Sequence, residues 1–137
     1  IDDFAHHPTA ISMTIDAVKK RYPGRRVWAV FEPRSNTCKR KLSTDGLAKA
    51  LAKADRSIIA PVFKPEAIPE GERLDPEEVA RLVFKYGSEG YHIHKSQFIE
   101  EYIVRKIDKG DVVLLMSNGS FDGLPAKILE AVKRRRW

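Results

Sequence analysis

The sequence predicts a three-layer α/β domain with a mainly parallel sheet, on three observations. Short β-rich runs alternate strictly with helical patterns, the signature of parallel strands joined by crossover helices. The length, 137 residues, is that of one domain, and 42% hydrophobic residues suffice for a buried core. Five strands and five helices in this order leave a Rossmann-like architecture as the expected fold.

The elements follow one another plainly. Ile1 to Asp3 read as the first strand, and after Pro8-Thr9 the residues Ile11, Ile15 and Val18 share one helical face. Val27 to Phe31 reads as the second strand. Leu47, Ala50, Leu51 and Ala54 repeat at helical spacing, and Ser57 to Val62 reads as the third strand. Phe63 to Leu74 holds Pro65, Pro69, Gly71 and several charges without periodicity, which predicts a surface loop. Val79, Leu82, Val83 and Tyr86 form a third helical face after Asp75-Pro76, and Tyr91 to Ile93 a fourth strand. Ile99, Tyr102, Ile103 and Lys106 give a weaker helix, Asp111 to Met116 a fifth strand, and Leu124, Ile128, Leu129 and Val132 the last helix. No internal repeat or low-complexity segment is present.

Composition narrows the function classes. The single cysteine, Cys38, excludes an internal disulfide framework and a multi-cysteine metal site. No apolar run reaches the roughly 18 to 20 residues that span a bilayer. The N-terminus Ile1-Asp2-Asp3 lacks the regions of a signal peptide, so a soluble protein is expected. The first residue is Ile1, set directly on strand residues, and the expectation is a piece of something longer. Net charge is +6 and the sequence pI about 9.5, which suits attraction to phosphates, nucleic acid or an acidic metabolite. Lys133, Arg134, Arg135 and Arg136 form a terminal basic run, read as a solvated helix end whose cations complement the dipole. A basic nucleic-acid module is the rival, without a helix-turn-helix, zinc-finger or aromatic RNA-binding signature to support it.

Ligands of open α/β sheets bind beyond the carboxyl ends of the strands. Three loops should therefore meet on that rim: Asp2–Thr9, Glu32–Lys39 and Ser117–Gly123. In the first, two carboxylates and two imidazoles stand within six residues, and three readings are open. A divalent metal would need them to converge, yet adjacent residues of an extended strand point to opposite faces. Thr9 could cap the helix that follows. An acidic residue at a strand end could instead grip ribose hydroxyls. In the second loop Arg34 has the guanidinium that a carboxylate or phosphate takes in bidentate fashion, with a plain surface charge as the alternative. Ser35 and Asn36 could cap the next turn. The third loop, Met116-Ser117-Asn118-Gly119-Ser120-Phe121-Asp122-Gly123, has small polar residues fit to wrap an anion with backbone N–H groups. Neither G-x-x-x-x-G-K-[ST] nor G-x-G-x-x-G occurs in the chain. His92 and His94 share one face of the fourth strand in this reading and are taken as structural.

The same loops carry a family resemblance. Asp2-Asp3-Phe4-Ala5-His6-His7-Pro8-Thr9 resembles the D-D-[YF]-[GA]-H-H-P-T segment that opens the C-terminal domain of the Mur ligases acting on UDP-N-acetylmuramate. Val30-Phe31-Glu32-Pro33-Arg34-Ser35-Asn36-Thr37 and Ser117-Asn118-Gly119-Ser120-Phe121-Asp122-Gly123-Leu124 are similar to the branch of that family that adds a murein tripeptide. The alanine-adding branch has Q-P-H-R-Y and G-A-G phrases there, and is the nearer rival. The resemblance spans nearly the whole chain and rests on three motifs in order. It implies an ATP- and Mg2+-dependent cytoplasmic ligase joining L-alanyl-γ-D-glutamyl-meso-diaminopimelate to UDP-N-acetylmuramate during cell-wall peptide recycling. In such enzymes ATP phosphorylates the muramic carboxylate and the incoming amine attacks the acyl phosphate.

The resemblance further implies that residues 1–137 are the substrate-closing domain, with the UDP-sugar and ATPase domains upstream, so that this domain alone turns over nothing. No catalytic or metal-ligating residue is assigned within it. Asp3 and His6 match positions facing the ATP ribose and nucleotide. His7, Arg34, Ser35, Asn36, Ser117, Asn118 and Ser120 match positions facing the incoming peptide. Neither nucleic acid nor membrane is an expected partner.

Overall fold

A computed structural model describes the whole chain, Ile1–Trp137. Its elements are β1 (Asp2–Asp3), α1 (Pro8–Arg21), β2 (Val27–Phe31), α2 (Thr44–Leu51), β3 (Arg56–Ile59), α3 (Pro76–Lys85), β4 (Glu89–His92), α4 (Ser96–Lys106), β5 (Val112–Met116) and α5 (Leu124–Arg134). All strands are parallel, in the order β1-β5-β2-β3-β4. The expected three-layer α/β architecture is the one observed.

The two apolar layers explain the alternation. All five residues of β2 are buried. Val27, Ala29 and Phe31 face one layer with Ile11 and Ile15 of α1, Leu47 of α2 and Val79 of α3. Trp28 and Val30 face the other, with Ile103 of α4 and Leu124 and Ile128 of α5. Crossovers between parallel strands are right-handed, so a helix changes face when the chain changes direction along the sheet. Accordingly α2 and α3 lie on one face as the chain steps outward to β4. In the return, α4 lies on the other face and delivers β5 between β1 and β2.

Several boundaries differ from the sequence expectation, each for a local reason. The third strand ends at Ile59 instead of Val62: Ala60 N–H still donates to Phe31 O at 2.8 Å, but Pro61 has no N–H to continue the ladder. The fourth strand is Glu89–His92, with Gly90 pressed on α3: a Cβ there would lie 2.7 Å from Ala80 O. His94 therefore falls outside the strand and does not share a strand face with His92. The His92 Nδ1–H donates to Ile59 O at 2.7 Å, whereas His94 meets Phe98 edge-on. Thr9 is not the cap of α1. That position belongs to His7, in extended geometry and without a side-chain cap bond, and Pro8 opens the helix with its φ already set.

The Phe63–Leu74 loop is more ordered than its composition suggests. Short 3-10 turns at Pro65–Ala67 and Glu70–Glu72 flank the buried Ile68, and Leu74 N–H donates to Lys39 O at 2.8 Å. In the terminal basic run, Lys133, Arg134 and Arg136 are exposed, but Arg135 is not a solvated charge. Its Nη1 donates to Val104 O at 2.8 Å and Ile107 O at 2.6 Å, satisfying carbonyls at the end of α4 that have no helical partner.

At the amino edge of the sheet, Asp111 gathers the donors. It accepts from Arg26 Nη2 at 2.6 Å, from the Trp28 indole at 3.0 Å and from Asp108 N–H at 3.0 Å. Arg26 and Arg56 stand over the Trp28 ring at 5.6 and 4.6 Å from its centroid, and Arg56 pairs with Glu89 at 3.0 Å. Burial pushes the Asp111 carboxyl up, but the bonds from Arg26, Asp108 N–H and Trp28 outweigh it and hold the group below its ordinary value. Asp111→Asn should therefore cost about 2–3 kcal/mol near neutral pH, the worth of hydrogen bonds to a charged group. A group whose folded pKa is depressed stabilises the fold above its unfolded pKa and loses that contribution as pH falls through the folded one. The deficit of the variant should thus be full at neutral pH and shrink only below about pH 4. Urea melts of both proteins across that range measure it; a deficit independent of pH would assign the cost to packing.

Candidate functional site: the carboxyl rim of the sheet

Strand register builds the site. Asp3 pairs with Met116, Met116 with Phe31, Phe31 with Ile59 and Ile59 with His92. The strands end at one level, so the loops after β1, β2 and β5 leave side by side on one rim, as expected. β5 lies between two strands whose next helices, α1 and α2, occupy the face opposite α5. Connections diverging to opposite faces leave a crevice, and ligands of open α/β sheets bind there.

The three loops are laced together. Ser117 N–H donates to Asp3 O at 3.2 Å, and Glu32 N–H to Met116 O at 3.1 Å. The Ser117 hydroxyl donates to Glu32 Oε1 at 2.7 Å, with both side chains buried. The Cys38 thiol, pushed up by burial and hence protonated, donates to His6 O at 2.6 Å.

In the first loop, Asp3 Oδ1 accepts from Ala5 N–H at 2.8 Å, a turn that leaves Oδ2 unengaged. His6 Nδ1–H donates to Phe4 O at 2.9 Å, which directs Nε2 away from the backbone. The His6 and His7 rings lie 4.3 Å apart, His7 exposed, and Phe4 is 66% exposed beside them. Asp2, Asp3, His6 and His7 do not gather into a set of three or more metal donors.

In the second loop, Ser35 caps the turn after it, accepting from Cys38 N–H at 3.2 Å, while Asn36 is exposed with no side-chain partner. Arg34 is half-buried and not a plain surface charge. Its Cζ lies 3.6 Å from the Phe63 ring centroid, and Nη1 is 3.5 Å from Glu32 Oε1. Lys39 is 5% exposed and meets no carboxylate; its Nζ donates to Lys64 O at 3.3 Å.

In the third loop, Ser117 turns inward to Glu32 and accepts from Gly119 N–H at 3.1 Å. Asn118 Oδ1 is buried without a hydrogen-bond partner, an unmet acceptor that costs about 1–3 kcal/mol. Ser120 is exposed. Next, Phe121, Asp122 and Gly123 run through three successive left-handed conformations, φ 49°, 54° and 70°. Only the glycine adopts this without strain. The reversal seats the Phe121 side chain in the core against Leu124 and Ile128 of α5.

The rim therefore offers cationic and hydrogen-bonding groups, and its one hydroxyl–carboxylate contact, Ser117–Glu32, is buried as a tie between loops. Sequence reading missed Glu32, Phe63 and Gly119. An acidic residue directly after an all-apolar strand was a usable signal for Glu32, and a lone aromatic in a charged loop for Phe63. A hollow of about 570 Å³ lies off the rim between Arg40–Asp45 and Gly71–Glu72. Of its charges, Arg40 lies 3.9 Å from Glu72 and Asp45 3.1 Å from Lys49, while the Lys41 ammonium has no carboxylate partner.

Comparison with known proteins agrees with this layout. The family profile described as "Mur ligase, glutamate ligase domain" matches residues 1–119. The UDP-N-acetylmuramate–L-alanyl-γ-D-glutamyl-meso-2,6-diaminoheptandioate ligase of Haemophilus influenzae is 38% identical over 133 residues, 96% of this chain and 27% of that protein. A UDP-N-acetylmuramate–L-alanine ligase from Caldanaerobacter subterraneus is 31% identical over 134 residues, 98% of this chain and 28% of its own length. The crystal structure of a murein peptide ligase from Psychrobacter arcticus superposes with a TM-score of 0.79 at 32% identity, over 98% of this chain and 27% of that one. The chain thus spans about 27% of the length of such relatives. With the profile matched over most of the sequence and the three motif loops assembled on one rim, the chain belongs to the Mur ligase family, as its C-terminal glutamate ligase domain.

Proposed function

We propose that this chain is the acceptor-binding, substrate-closing domain of an ATP-dependent amide ligase that joins L-alanyl-γ-D-glutamyl-meso-diaminopimelate to UDP-N-acetylmuramate in the cytoplasm. The observation that carries the reading is Arg34: a half-buried guanidinium on the rim, stacked on Phe63, whose nearest carboxylate is 3.5 Å away. A guanidinium so placed takes an incoming carboxylate in bidentate fashion. In the loop that meets Arg34 through Gly119, Asn118 has a buried Oδ1 without a partner, which a peptide N–H would satisfy once the loop opens to it on binding. The name borne by the Haemophilus relative supports the tripeptide as acceptor, and that of the Psychrobacter structure a murein peptide.

The residues present do not fit the phosphates or magnesium of ATP, since the chain has neither a phosphate-cradling loop nor a convergent set of metal donors. Those groups belong to the upstream domains in this reading. The free Oδ2 of Asp3 suits a ribose hydroxyl, with His6 next to it facing the nucleotide. His7, Ser35, Asn36 and Ser120 line the acceptor side, and Ser117 acts through Glu32. The work of the domain is positioning: Arg34 and Asn118 hold the peptide so that its amine meets the activated muramate carboxyl, and closure keeps water from it.

Three outcomes follow. The isolated chain should release no phosphate from ATP, with or without tripeptide; turnover by the pure chain would overturn the division of labour. In the intact ligase, Arg34→Ala should weaken tripeptide use at least about ten-fold with little change in the KM for ATP, the loss of a charged hydrogen bond. Kinetics with tripeptide, dipeptide and L-alanine test this, and they also separate the alanine-adding alternative, for which the loss should appear with L-alanine itself. Asp3→Ala should raise the KM for ATP more than that for peptide, by about 1.5–3 kcal/mol or roughly 10- to 150-fold. Equal changes in both would reduce Asp3 to its turn with Ala5.

A further inference from the structure

We infer that Phe63 and Gly119 form a clamp that holds the Arg34 guanidinium in one plane, and that these positioning residues set the preference of the rim for a carboxylate-bearing acceptor. The inference rests on the reading of Arg34 above and extends it to two residues given no role there, Phe63 outside the motif phrases and Gly119 within one. One face of the guanidinium is covered by the Phe63 ring, its Cζ 3.6 Å from the centroid, well inside the range of a cation–π contact. Gly119 closes in on the same side chain. A Cβ there would overlap Arg34 Nε and Cζ and come within 2.7 Å of Cδ. Gly119 is not among the glycines at positive φ, so it is needed for the space that Arg34 occupies and not for backbone freedom.

Phe63 is itself held from two sides. Its N–H donates to Pro33 O at 2.9 Å, and the buried Lys39 donates to the carbonyl of Lys64, which sits at φ 47°. Lys39 and Lys64 also place their ammonium groups 5.7 and 5.3 Å from the ring centroid. Three cations thus surround one ring, with Glu32 the only carboxylate in contact with any of them. With the guanidinium packed by ring and glycine, a ligand reaches it along its edge, in its own plane. That is the approach of a carboxylate making two parallel hydrogen bonds, and a neutral amide cannot reproduce it because it has only one acceptor.

The test is steady-state kinetics of the intact ligase carrying Phe63→Ala, Phe63→Tyr, Gly119→Ala or Arg34→Ala, using the tripeptide and the same peptide amidated at all its carboxyls, the glutamyl α-carboxyl included. Phe63→Ala and Gly119→Ala should each raise the tripeptide KM about 3- to 30-fold and the ATP KM less than about two-fold, while Phe63→Tyr, which keeps the ring face, stays near the parent. With the amidated peptide the parent should already be weak, and the clamp variants should add little, as coupled positions do. A tripeptide KM unchanged by Gly119→Ala, or a loss equally large for the amidated peptide, overturns the clamp. If Arg34→Ala weakens the tripeptide and neither clamp variant does, the role of Arg34 stands and the clamp falls; an Arg34→Ala enzyme equal to the parent removes both. Gly119 is exposed and free of left-handed strain, so Gly119→Ala should keep the fold and decides the matter should Phe63→Ala fail to fold, which thermal melts of each variant reveal.

Discussion

Everything functional in this domain depends on β5 lying between β1 and β2. The strand hydrogen-bonds to both neighbours, and its last residue, Met116, stands level with Asp3 and Phe31. Residues far apart in sequence are thereby brought to a single edge, and the ties Ser117–Asp3 and Ser117–Glu32 become possible. The energy behind this placement is apolar burial on two faces. Leu114 and Met116 enter one layer and Leu115 the other, so a slip of one residue would exchange the faces and strip both cores. A rim built on such a register is stiff, which suits the positioning role proposed for it.

The two ends of the sheet show how one residue type serves different ends. At the amino edge, Arg26 and Arg56 stack on Trp28 and are matched by Asp111 and Glu89. Their charge is spent within the fold. At the carboxyl edge, Arg34 stacks on Phe63 with Glu32 at 3.5 Å, a carboxylate already receiving the Ser117 hydroxyl, and Lys39 lies nearby without any carboxylate partner. The net charge of +6 is therefore less informative than its distribution: many unpaired cations lie at helix ends away from the rim, whereas Arg34 and Lys39 are cations held partly or wholly buried at it. The strained run Phe121–Asp122–Gly123 belongs to the same rim. The buried Phe121 anchors it, which keeps Asn118 and Gly119 from relaxing away from the neighbouring loops.

Legibility varied with the range of the interactions involved. Helix and strand identities were readable because the spacing of residues such as Ile11, Ile15 and Val18, or the unbroken run Val27–Phe31, is a local record of burial. Ends were less readable. Pro61 stops β3 three residues early, and His94 drops out of β4, effects of ladder continuity that periodicity does not register. The cap of α1 went to His7 because Pro8, placed first in the helix, leaves Thr9 inside it. Arg135 looked like one charge in a basic tail, yet it closes the end of a different helix, α4, about 30 residues away.

Alternation, apolar spacing and three motif phrases by themselves determined the fold class, the family and the three loops that share the carboxyl rim. These are properties of neighbouring residues, and neighbouring residues are what a sequence records directly. Tertiary structure alone decided which groups within those loops are spent on the fold and which keep unengaged atoms. Ser117 is turned to Glu32, Asp3 is half-used by Ala5, and Arg34 is stacked on Phe63 against Gly119. Phe63 and Gly119 are 56 positions apart by their numbers, on loops that meet only because β2 separates β3 from β5 by a single strand. Hydrogen bonding and close packing act through space, so the chemistry of the rim becomes definite only once the sheet has set these distances.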